Sequence, residues 1–185
     1  AAEGGHVNVV QTLLAAKADV NAFPAKDDSR TALQAAAEGG HLNVVHTLLA
    51  AKADVNAFPA RCQGRTALQA AAEGGYLNVV QTLLAAKADV NAFPAEDDGR
   101  TALQAAAGGG HIDVVQTLLA AKADVNASPA GYHGRTALQA AAEGGHLNVV
   151  QTLLAAKADV NISPAEYHGR TALQAAAGGG HPDVV

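Results

Sequence analysis

The chain has 185 residues, a formal net charge of −5 and a pI near 5.8, with 49% apolar residues but only 3% aromatics and no Trp or Met. Its core must therefore be built from Ala, Leu and Val. The twelve basic residues form no stripe, which argues against a nucleic-acid partner. No apolar run approaches the roughly 20 residues of a membrane span. The lone Cys62 gives no disulfide framework and fits a reducing, intracellular, cytoplasmic setting.

The sequence repeats itself every 35 residues, the spacing of Arg30, Arg65, Arg100, Arg135 and Arg170. A fixed period of this length means stacked supersecondary units, each too small to bury its apolar face alone. We expect one array over 1–185: a partial copy 1–29, full copies 30–64, 65–99, 100–134 and 135–169, and a partial copy 170–185. Both ends fall within a period, and neither terminal copy carries extra polar residues. Solenoids need polar caps, so the expectation is a piece of a longer chain, or ends covered by something else.

Within one copy, Thr66-Ala67-Leu68-Gln69 reads as a capping box. Helix A follows through three alanines to Glu73 and is stopped by Gly74 and Gly75, since Gly takes a left-handed C-terminal position cheaply. Helix B starts next. His181-Pro182-Asp183 places Pro at a first helical position, so the His slot is expected to be the N-cap. Val79, Val80, Leu83 and Leu84 form its apolar stripe, and it is expected to end near Ala86.

Lys87 then stands where a left-handed residue is needed, as do Lys17, Lys52, Lys122 and Lys157. The expectation is positive φ at all five, at about 1 kcal/mol each. Residues 88–92 are expected to lead, extended, into a loop, with Asp89 and Asn91 bonding nearby backbone. Residues 93–99 form the tip. The fold class expected is all-α, an open solenoid of stacked helix–turn–helix units with protruding finger loops.

TALQAA, GGHLNVVQTLLA and ADVNA together resemble the ankyrin repeat. The family's T-P-L-H-x-A stands here as Thr66-Ala67-Leu68-Gln69-Ala70-Ala71, and its G-H as Gly40-His41. The 35-residue form, with an extended finger, also looks like the long ankyrin tails of fungal multidomain signalling proteins. The tetratricopeptide repeat has a similar period, but its signature is missing and it has no finger. The chain departs from the family in four ways. The finger is two residues longer, Ala replaces Pro and Gln replaces His in helix A, and Lys replaces the Gly after helix B. The loss of His removes the family's Thr–His bonding but leaves the capping box. The resemblance implies a non-catalytic scaffold that binds a protein through its finger tips and concave inner-helix face.

The copies differ mainly at their tips. The residues expected to meet a partner are Phe23, Lys26, Asp27 and Asp28 in the first tip, and Phe58, Arg61, Cys62 and Gln63 in the second. The third offers Phe93, Glu96, Asp97 and Asp98, the fourth Tyr132 and His133, and the fifth Glu166, Tyr167 and His168. The surface is thus acidic early and neutral-aromatic late. Aromatics and Arg are enriched at interface hot spots, while loop tips also vary without function. End-to-end self-association into a filament is the competing reading, since uncapped similar units make a non-closing contact. A spacer or regulatory segment of a larger protein is a third.

No metal or cofactor is expected. His6, His41, His111, His146 and His181 share one slot. Helices pack about 8–10 Å apart, whereas Zn–N bonds are about 2.0–2.1 Å, so these histidines cannot share an ion. No catalytic constellation is present. The Gly runs at Gly108 and Gly178 are not followed by a phosphate-loop GK[ST].

Overall fold

A computed structural model describes residues 1–22, 30–58, 64–93, 99–128, 134–163 and 169–185. Among these the regular structure is entirely helical, in ten helices. The first, α1 (Val7–Ala15), is a B helix. Four A–B pairs follow: α2 (Ala32–Glu38) with α3 (Leu42–Ala50), α4 (Ala67–Glu73) with α5 (Leu77–Ala85), α6 (Ala102–Gly108) with α7 (Ile112–Ala120), and α8 (Ala137–Glu143) with α9 (Leu147–Ala155). The last, α10 (Ala172–Gly179), is an A helix. None of the described helices is long and apolar enough to cross a membrane.

The A helices stack on one another from α2 through α10, and the B helices from α1 through α9, giving two layers. Composition explains the layering. Ala67 through Ala72 are all buried in α4, and the alanines let successive A helices approach closely. The larger side chains fill the space between the layers, where Leu68, Val79, Val80 and Leu83 are at most 1% exposed. Such burial contributes roughly 1.5–3 kcal/mol per Val or Leu side chain.

The A helices begin as expected. Thr31, Thr66, Thr101, Thr136 and Thr171 each accept from the backbone of the Gln three residues on, and that Gln accepts from the Thr amide. At the other end of α4, the first glycine is still right-handed, and only Gly75 takes a positive φ of 70°. Gly75 N then donates to Ala72 O at 3.2 Å and Tyr76 N to Ala71 O at 3.0 Å, the paired bonds of a Schellman motif.

Helix B ends in the same motif. Lys87 N donates to Leu84 O at 3.0 Å and Ala88 N to Leu83 O at 2.9 Å. Here Lys holds the left-handed position: φ is 63° at Lys17, 69° at Lys52, 70° at Lys87 and 71° at Lys122 and Lys157.

The segment after Lys87 is not extended, contrary to the sequence expectation. Ala92 N donates to Asp89 O at 3.3 Å, closing a turn, and Asn91 N donates to Asp89 Oδ1 at 2.9 Å. The Asp side chain supplies a local acceptor that an extended segment would leave unused. The same turn recurs at Asp19, Asp54 and Asp124, and its side-chain bond also at Asp159.

Candidate functional site

Three rows of side chains recur along the array: Gln holds the finger base of its own copy, while Asn and His connect neighbouring copies. The first is the Gln row. Gln69 is 2% exposed. Its Oε1 completes the capping box, accepting from Thr66 N at 2.9 Å. Its Nε2 donates to Ala92 O at 3.1 Å and Phe93 O at 3.4 Å, at the base of the finger. Gln34 and Gln104 bond the Ala57–Phe58 and Ala127–Ser128 carbonyls in the same way. The capping box was readable in the sequence. The second use of the amide was not.

The Asn row runs between copies. Asn56 Nδ2 donates to Lys87 O at 3.1 Å, and Asn56 Oδ1 accepts from Asp89 N at 2.8 Å. Asn21, Asn91 and Asn126 repeat this pair of bonds. Asn was expected to bond nearby backbone, but it reaches the following copy instead. It there clasps both sides of the turn that starts at the strained lysine.

The His row is the third. His41, His111 and His146 occupy the N-cap position, but none caps its helix with its side chain. The ring reaches backward. His111 Nε2 lies 3.0 Å from Glu73 O, at the end of the preceding A helix, and His41, His146 and His181 make the corresponding contacts to Glu3 O, Gly108 O and Glu143 O. Carbonyl oxygen only accepts, so the ring nitrogen donates. The ring is seated on glycine: a Cβ on Gly109 or on Gly75 would stand 2.5 Å from His111. Tyr76 fills the slot once and covers Gly74 and Gly40, but its side chain makes no hydrogen bond among the described residues.

On the helix-A side lies a row of ion pairs. Arg30 pairs with Glu38, Arg65 Nε with Glu73 at 2.8 Å, and Arg135 with Glu143 at 2.7 Å. Arg65 also lies 3.7 Å from Glu38 of the preceding copy. These groups are 33–47% exposed, where an isolated pair contributes about 0–1 kcal/mol. They shape the surface more than they stabilise it. Sequence reading passed over them, although Arg65 and Glu73 face each other across one helix.

Of the expected partner contacts, Phe58 and Phe93 are described, and both point outward at 82% and 90% exposure. Phe23, Lys26, Asp27 and Asp28 lie outside the described residues, as do Arg61, Cys62 and Gln63. So do Glu96, Asp97 and Asp98, and also Tyr132, His133, Glu166, Tyr167 and His168. What the structure does place is the anchorage of each finger, through Gln and Asn, beside the Arg–Glu row.

Two stacked layers of short helices, tied by recurrent side-chain rows, define a helical-repeat solenoid. The sequence matches the family described as ankyrin repeats (three copies) over 1–94, 56–129, 92–163 and 130–185, which together span the chain. The protein belongs to the ankyrin-repeat family. Ankyrin repeats generally mediate protein–protein interaction and are typically non-enzymatic. Comparison with curated proteins finds no match.

Proposed function

We propose that residues 1–185 form one array, phased as 30–64, 65–99, 100–134 and 135–169 with partial copies at either end, that binds a protein partner without catalysis. The contact runs along the finger tips and the adjoining helix-A face. The observation that carries this reading is a division within each copy. The core side chains and the capping-box Thr and Gln are nearly invariant and buried in the inner copies, whereas Phe58 and Phe93 stand outside the core at the point where the copies begin to differ. Aromatic side chains are enriched among interface anchors. The proposed contacts are those of the five tips: Phe23, Lys26, Asp27, Asp28; Phe58, Arg61, Cys62, Gln63; Phe93, Glu96, Asp97, Asp98; Tyr132, His133; and Glu166, Tyr167, His168. Cys62, as the single thiol, suits an intracellular, cytoplasmic array.

The second reading is end-to-end self-association, since near-identical copies carry matching faces that can make a non-closing contact.

One preparation tests both readings. Scrambling the five tips is expected to abolish capture of a protein partner from lysate while light scattering stays independent of concentration. Capture that survives scrambling contradicts the first reading. Scattering that rises with concentration supports the second.

A further inference from the structure

The Arg–Glu row is interrupted. Positions 38, 73 and 143 carry Glu, but positions 108 and 178 carry Gly. The two interruptions differ. At Gly178, Arg170 has folded across, and its Nη1 lies 2.8 Å from where a Cβ would stand. At Gly108 a Cβ would meet only Ala140 Cβ, at 3.5 Å. The space there is a cleft of about 390 Å³ between neighbouring copies, whose walls include Gly99, Arg100, Gly108, Arg135, Ala140 and Glu143.

Among the described residues the charges of this cleft do not balance. Arg135 is bonded to Glu143 at 2.7 Å. Arg100 has no carboxylate within 4.0 Å among the described residues, because the position that pairs with it by analogy is Gly108. Among the described residues that wall the cleft, two guanidiniums stand against one carboxylate, at the place where other copies hold an internal glutamate.

We propose that this cleft receives the carboxylate of an Asp or Glu side chain from the protein partner, which takes the place of the missing glutamate. The inference rests on the protein-binding reading and adds the chemistry of one contact. A carboxylate matches the planar guanidinium fork of Arg100. Its single charge neutralises the cleft. A phosphate, with a charge near −2, would overshoot that balance and face Glu143.

The test is selection from a displayed library of random linear peptides on the parent chain, on Gly108→Glu and on Arg100→Gln. Gly108→Glu supplies the carboxylate from within, and the open space at its Cβ accommodates the side chain. Peptides selected on the parent are expected to share an Asp or Glu at one fixed position. They are expected to bind either variant about 10-fold more weakly, about 1.4 kcal/mol. Changing that acidic residue to its amide is expected to give the same loss on the parent chain, a comparison that holds even if a variant fails to fold. Selected peptides with no acidic position, or with undiminished affinity for Gly108→Glu, overturn the cleft assignment and leave the protein-binding reading standing. A parent chain that selects no peptide at all overturns both.

Discussion

Gly75→Ala is expected to destabilise the array by about 2–4 kcal/mol, although it adds a single methyl group. Gly75 sits at φ 70°, where a Cβ is strained by about 1–2 kcal/mol. The new Cβ would also stand 2.5 Å from Nδ1 of His111. The ring must move, and its bond to Glu73 O, 3.0 Å long, is then lost. A hydrogen bond of this kind contributes about 0.5–1.5 kcal/mol, and overpacking adds about 1–3 kcal/mol. Two companion substitutions have the opposite sign. Gly108→Ala adds its Cβ in a helix at ordinary contact distance and is expected to stabilise by about 0.5–1 kcal/mol. Lys87→Gly relieves a positive φ and is expected to stabilise by up to about 1 kcal/mol. Denaturant titration of the three variants checks all of them. A neutral Gly75→Ala would mean that the rings do not stack on the glycines as described.

Gln69→Ala is expected to cost about 2–4 kcal/mol, because it breaks one capping bond and strips two finger-base carbonyls of their donor. Thr66→Ala removes only the side-chain acceptor of the capping box, the bond from Gln69 N, and is therefore expected to cost only about 1 kcal/mol. Gln69→Glu separates the two halves of the amide further. It keeps the acceptor but turns the donor into an oxygen facing two carbonyls. Burial raises the folded-state pKa of such a carboxylate above its unfolded value. The folded state then binds the proton more tightly, so stability is recovered as pH falls and lost as pH rises through the raised pKa. Equal losses for Gln69→Ala and Thr66→Ala would contradict the finger-anchoring role.

The sequence and the structure agree best where one residue's requirement is local. Thr66 and Gln69 lie one helical turn apart, so their capping box was legible. The positive φ of Lys87 followed from helix B ending at a residue other than Gly. What stayed hidden were the bonds between residues far apart in the sequence. Asn56 reaching Lys87 O, His111 reaching Glu73 O and Gln69 reaching Phe93 O span 31, 38 and 24 residues. A sequence states that these side chains can donate, but not which carbonyl stands 3 Å away. A signal for the His row was present: every His or Tyr in the slot follows two glycines, which leave room for a ring. The interruption at Gly108 was equally visible as a third consecutive glycine. Its meaning appeared only once Arg65 was seen to face Glu73.

The fold also explains why stability and recognition are separable here. Each copy contacts only its neighbours, so an array's stability is close to a sum of copies and interfaces. The Asn and His rows supply hydrogen bonds across those interfaces, and the Gln row holds only backbone carbonyls at the finger base. Tip chemistry can therefore change from FPAEDDG to SPAEYHG at little cost to stacking.

Amide hydrogen exchange with and without a bound protein partner tests this account most directly. New protection is expected at the finger bases around Phe58 and Phe93 and on the helix-A side near Arg100 and Arg135. The B helices α3, α5 and α7 are expected to exchange as before. Protection confined to those B helices would contradict it.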